Sequence, residues 1–324
     1  MLRIALIGRG PWAARYLAAL RQLRGVRVTT VVSAGRPGKA FGGAVWLRDI
    51  RELRRGAVDA AIVASAAWSH ASATIALLAR GVPVLVEKPM ALSVAAARRM
   101  HATARSQRAL LCVAHTHLHS EAFEHLIAHV AAAGGFNRGT SAGGNLGPFR
   151  RDCTALWDYG SHDVAMFIAL AGNPPVGVTA NALEGTRPGQ NFSVALKFSR
   201  AAERREAIAA RSHPRAGPVE VNVTVGNAFA CKRRWLCVDS GQDAFVYDDL
   251  AAERLTRRRE GGPEMPIALP GRALPLTRTI EHFLSAVRRG KRYDPGAPLG
   301  VAVCGVLARC ERQLTGRRWR RLSH

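Results

Sequence analysis

Long apolar runs, lysine and, near the start, acidic residues are all scarce in this chain of 324 residues. No stretch reaches the roughly 18 to 20 uninterrupted apolar residues that a membrane span needs. The apolar run in the opening Met1-Leu2-Arg3-Ile4-Ala5-Leu6-Ile7 stops at a glycine and is too short for a signal peptide. A cytoplasmic protein with no membrane partner and with reduced thiols is therefore expected. The six cysteines, Cys112, Cys153, Cys231, Cys237, Cys304 and Cys310, form no C-x-x-C pair and no zinc-ligand spacing, so they read as buried free thiols and no metal is expected.

Lysine supplies only five of the 47 basic side chains, which against 23 acidic ones leave a formal net charge of +24. Such a surplus fits nucleic acid, an acidic membrane surface or an anionic substrate. The arginines are spread through an alanine-rich background, however, and not gathered in a stripe. They read as a solvated, compositionally biased surface, and no specific nucleic-acid partner is expected even for Arg317-Arg318-Trp319-Arg320-Arg321. The composition is otherwise that of a globular protein. With 48% hydrophobic residues, 31 glycines and 16 prolines, the chain is too apolar for disorder and too poor in glycine and proline for a fibre. Its length predicts two domains.

The first third alternates apolar β-branched runs with helical patterns. Strands are predicted at Arg3 to Ile7, Val26 to Val32, Val58 to Ala64, Pro83 to Val86 and Ala109 to Ala114, and helices at Pro11 to Leu23, Ser69 to Arg80 and Ser93 to Arg105. Strands apolar on both faces and alternating with helices mean a doubly wound parallel sheet, over residues 1–118. Residues 119–324 change rhythm. Helices at Ser120 to Ala133 and Leu156 to Leu170 precede short strands at Val176 to Leu183, Phe192 to Phe198, Ala207 to Arg211, Val219 to Val225, Trp235 to Val238 and Ala244 to Tyr247. These predict a largely antiparallel sheet. Helices at Pro275 to Arg289 and Pro298 to Leu314 follow, with no internal repeat.

Gly8-Arg9-Gly10-Pro11-Trp12-Ala13 fits the dinucleotide fingerprint G-x-G-x-x-G/A between a strand and a helix. Gly8 permits the turn, Gly10 admits a pyrophosphate, and the helix start offers unpaired N–H groups. An NAD site usually carries an acid about 20 residues further on, for the ribose 2′-OH. Here the first acidic residue is Asp49, and the second strand runs into Ser33, Arg36 and Lys39, groups suited to a 2′-phosphate. NADP(H) is therefore preferred. A solvated basic loop in an enzyme that uses NAD(H), or either cofactor, is the alternative.

Two further groups carry chemistry. Glu87-Lys88-Pro89 puts a rare lysine at the carboxyl end of a parallel strand, the edge where open α/β sheets bind ligands, unless it is only a surface lysine in a loop. Asp158 and His162 stand one helical turn apart, so the carboxylate can fix the imidazole tautomer and leave the other nitrogen to exchange a proton. The bland alternative makes Asp158 a helix cap and His162 a core residue.

With the Gly8 turn, Glu87-Lys88-Pro89 and Asp158-x-Gly160-x-His162, the chain resembles the glucose-fructose oxidoreductase, inositol dehydrogenase and rhizopine catabolism family, Gfo/Idh/MocA. The likeness extends through Val63 to His70 and Pro298 to Gly316. It implies a Rossmann domain followed by a substrate-binding and oligomerisation α/β domain with a large open sheet, commonly in a homodimer or homotetramer. It also implies NAD(P)-dependent hydride transfer at a hydroxyl or carbonyl carbon of a sugar, nucleotide-sugar or cyclitol. By position, Lys88 corresponds to the catalytic lysine, His162 to the proton-transfer histidine and Asp158 to its partner. Gly8, Gly10, Pro11, Trp12, Ser65, His70, Glu87 and Lys88 fall at the cofactor edge. The chain departs from the family where Ser65-Ala66-Ala67 replaces the usual Thr-Pro-Asn.

For the substrate, His115, Asn145, Arg151 and Trp157 are candidates. Asn145-Leu146-Gly147-Pro148 and Leu156-Trp157-Asp158 resemble members tied to surface-polysaccharide sugars. The alternating His115, His117 and His119 could share a strand face, but family members need no metal. A non-catalytic cofactor-sensing regulator on the same fold is the rival reading, opposed by the presence of Lys88, Asp158 and His162.

Overall fold

Residues 1–35, 41–183, 189–199, 218–271 and 273–315 are described in the computed structural model of the chain. Arg36, Lys39, the strand expected over 207–211 and the basic run at 317–321 lie outside them.

The amino-terminal part builds a six-stranded sheet from β1 (Leu2–Ile7), β2 (Val26–Val32), β3 (Val45–Leu47), β4 (Ala60–Val63), β5 (Val84–Val86) and β6 (Leu111–Val113). All neighbours are parallel, in the order β3-β2-β1-β4-β5-β6. Strands β4, β5 and β6 are buried at every residue, as their unbroken apolar sequences require of a sheet covered on both faces. Helices α1 (Pro11–Gln22), α2 (His70–Leu78) and α3 (Val94–Ser106) make the crossovers. Pro11 occupies the first turn of α1, where a missing N–H costs no hydrogen bond, and Ser93 caps α3 by accepting from the Ala96 N–H. Strand order reverses between β1 and β4, which places a ligand-binding crevice at their carboxyl ends.

The second part begins with a 3-10 turn at Thr116–His119, then α4 (Glu121–Ala132), β7 (Arg138–Leu146) and α5 (Ala155–Ala171). Strands β8 (Gly177–Leu183), β9 (Asn191–Phe198), β10 (Val219–Gly226), β11 (Ala228–Asp239), β12 (Asp243–Asp248), β13 (Leu255–Arg259) and β14 (Glu264–Pro266) follow. Together with β7 they form one sheet in the order β14-β13-β12-β11-β7-β10-β9-β8. Every neighbouring pair is antiparallel except β7 with β10. The expectation of a Rossmann sheet followed by a large, mostly antiparallel open sheet is met. Helix α5 is buried from Ala155 through Ile168 without a solvent face, as a helix apolar on most sides must be.

Strands β3, β7, β13 and β14 are absent from the sequence reading. In β7, three glycines and few apolar side chains erase the period-two signal; β13 ends in three arginines. The cysteines also depart from it. Cys112, Cys304 and Cys310 are buried, but Cys231 is exposed, in the stretch of β11 where pairing with β7 shifts between Ala228 and Arg233.

The chain ends its described course with α6 (Pro275–Arg288) and α7 (Gly296–Thr315). Compactness assigns the described residues of Met1–Thr116 and Ala273–Cys304 to one unit, and those of His117–Arg272 and Gly305–His324 to another. A single cut at residue 118 would place α6 in the second unit. Its apolar face instead joins the core of the first sheet, where Ile280, Phe283, Leu284 and Ala286 cluster with Ile4, Leu6, Tyr16 and Ile62. Asp294 fixes the following turn by accepting from the Gly296 N–H at 2.7 Å and pairing with His282 Nε2 of α6 at 2.7 Å. No helix among the described residues is long and apolar enough to cross a membrane.

Candidate active site

In the first unit the chain leaves β1 through Gly8, whose φ of +116° suits only glycine. A Cβ there would also lie 2.6 Å from the Ala64 carbonyl oxygen. Gly10 precedes α1 in extended conformation, a Cβ on it would meet nothing within 4 Å, and no side chain caps the helix. The first N–H groups of α1 thus face open space, the cradle a pyrophosphate requires. The residues present fit a dinucleotide. Trp12, half-buried, packs on the core beside this turn, with the Arg15 guanidinium 4.6 Å over its ring.

The other edge residues are held largely by one another. His70 is buried with Nδ1 2.8 Å from the Pro89 carbonyl and Nε2 3.1 Å from the Ser65 carbonyl. It clamps the loop after β4 to the loop after β5. Ser65 Oγ bonds Ser69 Oγ at 2.7 Å, so the hydroxyl anchors its own turn. Glu87 accepts from Tyr16 O–H at 2.7 Å and from the Lys88 N–H at 3.0 Å. Burial, with the Glu87 charge adding to it, pushes the Tyr16 phenol well above its usual range. Glu87 and His70 therefore fix the turn that carries Lys88, itself buried just past β5. Ser33 follows β2 and its N–H donates to the Leu47 carbonyl. His115 is buried just past β6.

In the second unit, Thr154 caps α5 by accepting from the Trp157 N–H, so Asp158 sits within the first turn and is not the cap. Asp158 and His162 are both buried, one turn apart. Arg150, which the sequence reading passed over, bonds Asp152 through two nitrogens and stands 3.6 Å from Asp158. His162 lines a cavity of about 20 Å³, room for one water, with His117, Tyr159, Asp163, Arg234 and Tyr247.

The register of the sheet explains who meets there. Arg234 of β11 pairs opposite Gly143 of β7, and a Cβ on Gly143 would lie 2.6 Å from Asp163 Oδ2. Only a glycine leaves space for α5 to bring Asp163 this close. Burial pushes the Asp163 carboxyl up to about 6, opposed by the neighbouring Ser141 hydroxyl and the Arg234 charge.

A chain of donors crosses the cavity wall. Arg234 Nη1 donates to His117 Nε2 at 3.0 Å, His117 Nδ1 lies 3.2 Å from Tyr247 Oη, and Tyr247 O–H donates to Asp249 at 3.4 Å. Because a guanidinium can only donate, Nε2 accepts, and the His117 proton belongs on Nδ1. The His117 ring meets His162 edge to face, with centroids 4.6 Å apart. The 3-10 turn breaks the alternation that would have put His115, His117 and His119 on one strand face.

Among the substrate candidates, Trp157 lies in the first turn of α5. It is buried and its Nε1–H donates to Glu311 of α7 at 3.3 Å, so it packs α5. Asn145 lies two residues past Gly143 on β7, half-buried, and Arg151 is exposed. Arg234 and Arg150 carried no sequence signal, since each is one arginine among many, and nothing near Tyr247, one of four tyrosines, marks it. Asp163 adjoins His162 and was open to notice.

A parallel sheet in this strand order, with a bare helix start beside its central strand, is the architecture of a dinucleotide-binding domain. Residues 2–115 match the family described as "Oxidoreductase family, NAD-binding Rossmann fold". The chain resembles the Gfo/Idh/MocA oxidoreductases over these residues. It is 26% identical to 4-carboxy-2-hydroxymuconate-6-semialdehyde dehydrogenase of Sphingobium sp. strain SYK-6, across 97% of this chain and 99% of that one. To inositol 2-dehydrogenase of Arthrobacter sp. strain FB24 it is 34% identical over 28% of each chain. A crystal structure assigned to the oxidoreductases, from Magnetospirillum magnetotacticum MS-1, superposes with a TM-score of 0.80 at 29% identity, covering 95% of this chain and 99% of that one.

Proposed function

We propose that the protein oxidises or reduces a hydroxyl or carbonyl carbon of a sugar, nucleotide-sugar or cyclitol, as a homo-oligomer in the cytoplasm, with NADP(H) preferred over NAD(H). The observation that carries this reading is His162 lining a small cavity one helical turn from Asp158, in a chain whose other unit has a dinucleotide cradle. When bound, the nicotinamide supplies the hydride acceptor or donor. In the oxidising direction the substrate C–H hydrogen leaves with its electron pair, the O–H proton passes to His162, and the carbon–oxygen double bond forms. Asp158 orients the imidazole, and Lys88 bonds the reacting oxygen as its charge changes. The cofactor preference is supported by the absence of any acid before Asp49 and by Ser33 just past β2.

The test is a panel of nucleotide-sugars, free sugars and cyclitols with both cofactors, followed at the absorbance of the reduced nicotinamide. On a substrate so found, His162→Ala and Lys88→Ala are each expected to lower turnover roughly 10²- to 10⁴-fold with cofactor binding intact. Asp158→Asn is expected to cost less, because it disturbs orientation and not the proton carrier. Full turnover by His162→Ala across neutral pH would return the histidine to a packing role.

A further inference from the structure

Gly35 follows the end of β2, and the Arg9 side chain from the glycine turn lies across it. A Cβ on Gly35 would stand 2.3 Å from Arg9 Nε, 2.5 Å from Cζ and 2.7 Å from Nη2. The guanidinium therefore rests against the bare backbone at the place where a dinucleotide's ribose 2′ substituent is read in this fold. Arg9 is exposed and forms no ion pair among the described residues, so its donors remain available. The adjoining loop offers no carboxylate. Its Ser33 and Gly35 carbonyls both accept from Trp46 Nε1–H of β3, at 3.1 and 3.0 Å, which fixes the loop and turns these acceptors towards the indole. A ribose hydroxyl needs an acceptor here and finds little. A phosphate needs donors and finds a planar fork of them.

We infer that Arg9 reads the ribose 2′ position, its guanidinium holding the 2′-phosphate of NADP(H) across Gly35. The inference rests on the dinucleotide reading of the glycine turn and adds a residue to it. Arg9 and Gly35 form a matched pair, since the arginine can occupy this place only while position 35 has no side chain.

The test is a titration of the full-length protein with NADPH and with NADH, read by energy transfer from tryptophan to the reduced nicotinamide, so that no substrate is needed. The wild-type chain is expected to bind NADPH more tightly. Arg9→Ala should weaken NADPH roughly ten- to a hundredfold and leave NADH within about threefold, the loss anticipated for one charge-assisted pair. Arg9→Lys should keep part of the preference. Gly35→Asp, which displaces the guanidinium and adds an acceptor, should turn the preference towards NADH. Arg99→Ala removes the same charge from an exposed position of α3 and should leave the ratio unchanged, separating a local contact from the general attraction of a cationic surface. Equal weakening of both nucleotides by Arg9→Ala, or no weakening, overturns the inference while the dinucleotide site stands. A wild-type chain that binds neither nucleotide overturns the dinucleotide reading and this inference together.

Discussion

Asp163→Asn is expected to make the protein more stable at neutral pH. Asp163 is 4% exposed, and burial lifts its carboxyl to about 6, against about 3.9 for an unfolded aspartate. Between those values the folded chain binds more protons than the unfolded one, so stability falls as pH rises, and the loss is complete above about pH 6. A displacement of about two pH units corresponds to roughly 3 kcal/mol at about 1.4 kcal/mol per unit. Asparagine has the same shape and cannot ionise, so it escapes this loss. Urea unfolding of both proteins from pH 4.5 to 8 should show the variant gaining on the wild type through pH 5 to 6 and then holding a constant lead. Parallel curves, or a variant less stable at pH 8, would refute the assignment of Asp163 as a carboxylate ionised at a cost. Arg234→Met should enlarge the wild-type loss, because Arg234 is one of the groups that hold the carboxyl down.

Tyr16→Phe removes the donor that reaches Glu87 at 2.7 Å in a buried place; it is expected to cost about 1 to 3 kcal/mol, seen as a lowered thermal midpoint, and an unchanged midpoint would show that Glu87 finds another donor. Gly8→Ala forces a Cβ to within 2.6 Å of the Ala64 oxygen at a φ of +116°. It should abolish the NADPH titration, and intact binding would mean that this turn does not seat the nucleotide.

The local parts of this protein were legible because their signals are local. Strand, glycine turn and proline-led helix run continuously from Leu2 to Gln22, and Asp158 and His162 announce a shared helix by spacing alone. What stayed hidden depends on partners distant in the chain. Tyr16 meets Glu87 across 71 positions and Arg234 meets His117 across 117, and neither tyrosine nor arginine marks its partner in the sequence. Strand β7 was missed for a related reason. Gly139 and Gly143 serve the close approach of α5 and Gly144 that of Phe229, and a residue chosen for having no side chain leaves no hydrophobic period to read. The amphipathic pattern of α6 was evident, but an apolar face does not say which sheet it will cover.

That last point bears on how the protein can be taken apart and recombined. Because Ile280, Phe283, Leu284 and Ala286 complete the core of the first sheet, the sheet that seats the nucleotide is encoded in two separated stretches of chain. Exchanging the second unit between relatives is thus not a matter of joining a head to a tail at one seam. The portable cassette is an internal one, spliced near residues 117 and 272 and accompanied by the end of α7. A chimera fused at residue 118 alone would couple the nucleotide sheet to a foreign α6 and inherit a mismatched core before any question of catalysis arose.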